Sequence, residues 1–243
     1  MHCALCLQPE QLQNSHIIPE FLYGTLYDEK HRYNVLGLAP ERRDRLEQQG
    51  IRELMLCREC EQKFAKLERY ASLVFKGGAP GMGGERHGSI VNVSGVDYAQ
   101  FKLFLLSMLW RAGAAKSPYF HRVTLGPHQE RLRKMLRAGD PGPYDIYPCI
   151  FFGLNFRPGE VPQLMVQPTK DKVWGRTTYH FVLPGFKLVF FVSAEPLLQP
   201  HSQFVLQQNG SFVFQVRSVL ELPTVADFMK EYEQQAVASQ RGG

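Results

Sequence analysis

The chain has 243 residues, 44% of them hydrophobic, which is enough for one large domain or two small ones with a real core. It contains no apolar run of about 18 residues, so we expect no transmembrane segment. Its N-terminus lacks the apolar core of a signal peptide, which predicts a cytoplasmic protein. The net charge of +5 is modest and does not separate a polyanion-binding surface from an ordinary solvated one.

Four of the five cysteines form two Cys-x-x-Cys pairs, Cys3 with Cys6 and Cys57 with Cys60. Each pair places two thiolates on one turn, and two pairs can close on one tetrahedral Zn²⁺. This pattern fits a metal site in a reducing compartment better than a disulfide scaffold. We predict a structural zinc that contributes to folding, with free thiols as the alternative. Cys149 lies in an apolar run and is expected to be a small buried hydrophobe.

The N-terminal segment predicts the order turn, strand, excursion, strand, turn, helix. Residues 13–18 form the first predicted strand, which Pro19 ends because proline cannot donate to a sheet ladder. Residues 51–56 form the second strand. Apolar residues at helical spacing predict a helix over about 60–75.

Two polar or glycine-rich stretches interrupt the pattern. Residues 27–50 are strongly charged and are read either as a solvated excursion or as a basic insertion that contacts phosphates through Arg42, Arg43 and Arg45. Residues 77–95 are rich in glycine and predict a linker or loop. A phosphate cradle is the less favoured alternative there, since no Gly-Lys-Ser/Thr follows.

Residues 96–243 are predicted to form an α/β body of unknown role. The helix expected over 97–115 is apolar on nearly all sides, which indicates a buried central helix. Further helices are expected over 128–138 and about 224–235. Between them the period changes towards two over about 146–218, which predicts strands.

The predicted strands span residues 146–154, 163–167, 179–183, 187–193, 204–206 and 212–218. The Gln208-Asn209-Gly210 sequence predicts a hairpin turn before the last of these strands. We therefore expect an α+β fold with a zinc-binding domain over 1–76, the glycine-rich linker, and a body with a mainly antiparallel sheet.

Three segments of the N-terminal domain together resemble the HNH (His-Me finger) nuclease family. They are Cys3-Ala-Leu-Cys6, Ser15-His16-Ile17-Ile18-Pro19 and Leu56-Cys57-Arg58-Glu59-Cys60-Glu61. The resemblance is to the subgroup whose ββα core carries a structural zinc on two Cys-x-x-Cys knuckles, and it covers residues 1–75.

The resemblance implies that His16 is the general base that deprotonates the attacking water. It also implies that Glu61 is the ligand of a catalytic Mg²⁺ or Mn²⁺. Ser15 stands where the family often has an acidic or histidine ligand, and Arg52 stands where its middle asparagine falls. The candidates for a supporting role are Ser15, Asn14, Glu53 and Glu68. The candidate nucleic-acid contacts are Arg42, Arg43, Arg45, Arg52 and Lys63.

Each of these roles has a structural alternative. His16 can be a histidine that hydrogen bonds a carbonyl group, and Glu61 can be a favourable charge at a helix N-terminus. Three functions therefore stay open at this point. They are an endonuclease acting on nucleic acid, with DNA expected, a nucleic-acid-binding module that has lost its catalytic set, and a zinc-stabilised scaffold whose C-terminal sheet binds a protein partner.

Overall fold

The computed structural model of the protein describes residues 1–30, 33–35, 45–47, 50–157, 159–223 and 225. These residues form a mixed α+β fold with three α-helices and a mainly antiparallel seven-stranded sheet, which confirms the predicted class. Among the described residues, no helix combines the length and the apolar character that a bilayer crossing requires.

The N-terminal elements pair across a long stretch of sequence. Strand β1 (Leu12–His16) pairs antiparallel with β4 (Arg52–Cys57), and helix α1 (Arg58–Phe75) begins directly after β4. Between them, β2 (Tyr33–Val35) and β3 (Arg45–Glu47) form a separate antiparallel pair. The end of β4 thus places Cys57 at the N-terminus of α1.

Helix α2 (Tyr98–Ala114) lies at the centre of the molecule. The carboxylate of Asp97 caps it by accepting a hydrogen bond of 3.0 Å from the backbone N–H of Gln100. Most of its side chains are buried, and they belong to one continuous core that includes residues from Cys3 to Phe212. The prediction of a buried central helix is confirmed. Because this core is shared, the side chains of α2 pack against both the N-terminal elements and the rest of the body.

Helix α3 matches its predicted span and ends at a glycine. It covers His128–Ala138, and Gly139 closes it with a φ of +73°, a left-handed value that glycine adopts without strain. The helix packs against α2 through the buried Leu132 and Leu136.

The seven-stranded sheet has the order β5-β6-β11-β7-β10-β9-β8, with one parallel pair, β11 with β7. The strands are β5 Gly83–His87, β6 Ile90–Ser94, β7 Cys149–Asn155, β8 Val166–Val173, β9 Arg176–Leu183, β10 Phe186–Phe191 and β11 Phe212–Ser218. The last strand lies where the sequence placed it.

The glycine-rich segment differs from its prediction. The linker expected over 77–95 contains the hairpin of β5 and β6, which forms one edge of the sheet. The reason lies in the alternating sequence of β6, whose buried Val93 packs into the core while the strand pairs with β11. Glycine content alone therefore did not reveal this strand pair.

Two strand predictions in the body are corrected. The segment 204–206 is not a strand, because Val205 makes only an isolated bridge to Ile150 after a short 3₁₀ helix. The turn at 208–210 consequently leads into β11 without forming a hairpin, since β11 pairs with β6 and β7. The strand expected over 163–167 instead covers Val166–Val173. The helix predicted over about 224–235 lies outside the described residues, apart from residue 225.

Candidate functional site

The four cysteines of the two Cys-x-x-Cys pairs meet at one point, and we refer to them as the cysteine cluster (Cys3, Cys6, Cys57 and Cys60). All four Sγ atoms lie within 4.8 Å of one another. The backbone N–H of Cys57 donates to Cys3 Sγ at 3.3 Å, and the Sγ atoms of Cys6 and Cys57 are 3.9 Å apart. The end of β4 and the first turn of α1 supply one pair, and the N-terminal turn supplies the other.

This geometry fits a tetrahedral zinc. Zn–S bonds of about 2.3 Å place neighbouring sulfur atoms about 3.8 Å apart, close to the distance between Cys6 and Cys57. Burial raises the pKa of the Cys60 thiol, and the adjacent thiols raise it further. Four neighbouring thiolates repel one another, so all four are deprotonated together only when a bound cation compensates their charge. The cysteine cluster can hold a metal ion, and its donor set is the one that zinc prefers.

His16 ends β1 beside two charged side chains, and we call these three residues the His16 cluster (His16, Glu20 and Arg52). The Nε2 atom of His16 lies 2.5 Å from Glu20 Oε2 and 2.8 Å from Arg52 Nε. Arg52 Nη2 lies 3.7 Å from the same Glu20 oxygen. Arg52 is the cross-strand partner of His16, so the pairing of β1 with β4 positions this contact.

The surroundings of His16 lower its pKa. Burial is the main cause, the charge of Arg52 acts in the same direction, and the charge of Glu20 opposes both. His16 is therefore neutral near pH 7 and carries one ring N–H. Its Nε2 atom either accepts from Arg52 or donates to Glu20, because a single nitrogen of a neutral ring cannot do both.

Ser15 and Glu61 meet on the opposite side of β1. The Ser15 side chain is fully buried, and its hydroxyl oxygen accepts a hydrogen bond of 3.3 Å from the backbone N–H of Leu56. Burial raises the pKa of the Glu61 carboxyl group, while the nearby Ser15 hydroxyl and the charge of Arg111 oppose that increase. The two positions that the resemblance assigns to the metal side are thus close together.

A buried arginine of α2 connects these groups. Arg111 Nη1 donates to the carbonyl oxygen of His16 at 2.8 Å and lies 2.7 Å from Glu68 Oε1. The Arg111 guanidinium carbon lies 5.4 Å from the centre of the Phe64 ring, and the side chain is only 1% exposed. Arg111 therefore neutralises Glu68 and fixes the end of β1.

The residues around Glu61 do not fit a catalytic Mg²⁺ or Mn²⁺ site. Within the described ranges, the cysteine cluster is the one group of three or more histidine, cysteine or acidic residues with suitably close ligand atoms. Glu68 is paired with Arg111. The Glu53 carboxylate accepts hydrogen bonds from the backbone N–H groups of Lys116 and Ser117. Hard divalent ions need several oxygen ligands, so these side chains do not assemble the donor set.

The remaining candidate site residues lie in several different elements. Asn14 is exposed on β1. Lys63 Nζ donates to the backbone carbonyl of Arg137 at 2.7 Å, so it caps the end of α3. Arg45 lies in β3, and Arg42 and Arg43 lie outside the described residues.

Sequence reasoning did not identify Glu20 and Arg111 as members of the site. Glu20 follows His16 by four residues, a spacing that brings the two side chains together once Pro19 turns the chain after β1. Arg111 is one of the few charged residues in an otherwise apolar helix, and that was the available signal. A charge in a fully buried helix requires a partner.

Comparisons with protein-family models, with curated proteins and with solved structures found no match to this chain.

Proposed function

We propose that the protein is an HNH-like endonuclease that hydrolyses phosphodiester bonds of nucleic acid, with His16 as the general base. The supporting observation is the His16 cluster. A neutral imidazole with its side chain 20% exposed lies between a carboxylate and a guanidinium at the end of β1. A general base that works near neutral pH must be unprotonated, as the neutral imidazole is. It must also be exposed enough for the substrate to reach it.

Glu20 gives His16 the tautomer that a base requires. When Nε2–H donates to Glu20, the proton of the neutral ring is held at Nε2 and Nδ1 is left as the acceptor. The carboxylate also stabilises the imidazolium that forms when Nδ1 takes a proton from water. Glu20 thus orients the ring and compensates the new charge.

Arg52 supplies the positive charge for a phosphate. Its side chain is 30% exposed, and its guanidinium group reaches both other members of the His16 cluster. Arginine binds phosphate oxygens through paired N–H groups, so a phosphodiester at Arg52 would lie beside the His16 ring. No step of this proposal is assigned to a divalent ion, because the groups around Glu61 do not form its site.

A second candidate is a nucleic-acid-binding module that does not cleave. The Arg52 Nε–His16 Nε2 hydrogen bond favours it, because in that arrangement Arg52 occupies one ring nitrogen of His16. The incomplete donor set around Glu61 favours it as well. In this alternative Arg52 still binds phosphate, and the cysteine cluster supports the fold.

Cleavage assays separate the two candidates. Zinc-loaded protein is incubated with supercoiled plasmid and with single-stranded DNA and RNA, each with Mg²⁺, with Mn²⁺ and without either. If the protein is a nuclease, it should cleave at least one of these substrates. His16→Ala should then lower the cleavage rate by roughly 10²-fold or more, the usual contribution of a general base. His87→Ala, a substitution of an exposed histidine in β5, is the matched control and should cut normally. Salt-sensitive binding without cleavage would leave the binding module, and equal cleavage by His16→Ala would contradict the role of His16.

A further inference from the structure

The outer face of the β1–β4 pair presents four side chains in register. His16 is opposite Arg52 and Asn14 is opposite Leu54, while Ser15 between them is buried on the other side. Asn14 is exposed, and Leu54 is 56% exposed although it is a large hydrophobic residue. We call these four residues the outer face. It therefore combines a charged end with an apolar end.

The apolar end of the outer face opens into a concavity of about 670 Å³. It is lined by Met1, Pro9, Gln11, Leu12 and Leu54, and Glu10 is its acidic residue. The bridge between His2 and Pro9 holds this wall in place beside the cysteine cluster. An exposed apolar surface beside charged groups is typical of a binding site for a ligand that has both characters.

We propose that the outer face binds one unpaired nucleotide, with the phosphate at Arg52 and the base against Leu54. This inference rests on the proposed function and names its substrate class, a single-stranded segment of nucleic acid. A strand rises about 3.3 Å per residue, so Asn14 lies about 7 Å and Leu12 about 13 Å along β1 from His16. That distance fits a nucleotide whose phosphate lies at the His16 cluster and whose base extends along the sheet.

The chemistry of the outer face favours an unpaired base over a duplex. A base can lie flat against Leu54 and Pro9 only when its own face is free, whereas the faces of duplex bases are covered by their neighbours. The Asn14 amide can donate and accept hydrogen bonds at the base edge. Glu10 can accept a hydrogen bond from a base donor, such as the exocyclic amino group of cytosine or adenine or the ring N–H of thymine or uracil, and an unpaired base leaves these donors free.

Fluorescence anisotropy with zinc-loaded protein tests the inference without requiring cleavage. The probes are a labelled cytosine oligonucleotide, the same strand with abasic sites, and the corresponding duplex, in buffer without added divalent ion. We expect the cytosine strand to bind most tightly, and we expect Leu54→Ala to weaken binding of that strand roughly ten-fold, because the substitution removes most of the apolar contact of one leucine side chain. Leu54→Ala should not change the affinity for the abasic strand, since that strand has no base that could contact Leu54.

Leu220→Ala is the matched control, because Leu220 is 49% exposed and lies outside the outer face, after β11. It should bind all three probes as the unmodified protein does. Equal binding of the cytosine and abasic strands, or a preference for the duplex that Leu54→Ala does not change, would overturn the inference.

The anisotropy measurements and the cleavage assays, made on the same protein variants, together separate this inference from the proposed function. Binding that depends on Leu54 and on the base, without cleavage of any substrate, contradicts the nuclease and supports the nucleotide site. Cleavage that requires His16, with binding independent of Leu54, supports the nuclease and contradicts the nucleotide site. Absence of binding to every probe contradicts the nucleotide site outright.

Discussion

Arg111 Nη1 donates a hydrogen bond of 2.8 Å to the carbonyl oxygen of His16, although 95 positions separate the two residues. The same guanidinium group pairs with Glu68 of α1 at 2.7 Å. The central helix of the body thus holds both the strand that carries His16 and the helix that carries Glu61. The integrity of the candidate site therefore depends on a residue far outside residues 1–75, which contain His16 and the cysteine cluster.

Replacing Arg111 should destabilise the protein strongly. Arg111→Met leaves the largely buried Glu68 carboxylate without its partner and the His16 carbonyl without its donor. We expect a loss of about 3 kcal/mol in the free energy of unfolding, since breaking a buried ion pair leaves an uncompensated charge. Urea denaturation followed by circular dichroism measures this change.

The double variant Arg111→Met with Glu68→Met is the matched control. It removes both charges, so it should recover most of the stability that the single variant loses. A double variant as unstable as Arg111→Met would show that the unpaired carboxylate does not cause the loss, and that the packing of the arginine side chain or its hydrogen bond to the His16 carbonyl does.

The pKa of His16 should respond in opposite directions to its two neighbours. Glu20→Gln removes the charge that favours the imidazolium, so the pKa of His16 should fall further below its ordinary value. Arg52→Gln removes the charge that opposes the imidazolium, so the pKa should rise. An NMR titration of the His16 ring carbon and its proton measures both shifts. Arg122→Gln, at an exposed position after the central helix, is the control and should leave the titration unchanged.

Local signals in the sequence were sufficient to predict much of the fold. Asp97 and Gly139 mark helix ends within one residue of where the structure places them, because capping depends only on neighbouring residues. The hairpin of β5 and β6 was missed, because its stability depends on pairing with β11, more than 110 residues later. A glycine-rich sequence carries no sign of such a distant partner.

In the candidate site, too, the features set by local sequence were predictable and those set by distant packing were not. The cysteine cluster was predictable, since the spacing within each Cys-x-x-Cys pair is set by the geometry of a metal-binding turn. The role of Arg111 was not, because its contact with His16 arises only when α2 packs against β1. Arg52 was noted as a departure from the family asparagine, yet only the strand register shows that it contacts His16.

Zinc should bind in a ratio of one per chain, and its loss should destabilise the fold. Cys60 lies in the first turn of α1, so replacing it removes one ligand and also weakens the connection between this helix and the N-terminal turn. We expect Cys60→Ala to lose most of the zinc measured by inductively coupled plasma mass spectrometry and to unfold at a lower temperature. Cys149→Ala changes a cysteine outside the cluster and should keep its zinc. Full zinc content in Cys60→Ala would contradict the four-cysteine site.

Lys102 should make the stability of the protein rise with pH above neutrality. Its side chain is fully buried in α2, and its Nζ donates to the carbonyl oxygens of Ile146 and Tyr147 at 2.9 and 2.8 Å. Burial lowers the pKa of Lys102 to about 7, whereas the unfolded chain keeps the ordinary lysine value of about 10.4. Between these values the unfolded chain binds a proton that the folded protein does not bind.

Stability therefore increases as pH rises through that window, because the unfolded state binds more protons there. Lys102→Met removes the titrating group, so the free energy of unfolding should depend less on pH between about 7 and about 10 than in the unmodified protein. Urea denaturation across this range measures the difference. Lys172→Met, at an exposed position in β8, should retain the full dependence. If Lys102→Met shows the same slope as the unmodified protein, Lys102 does not release its proton on folding, and the two carbonyl groups hold it charged.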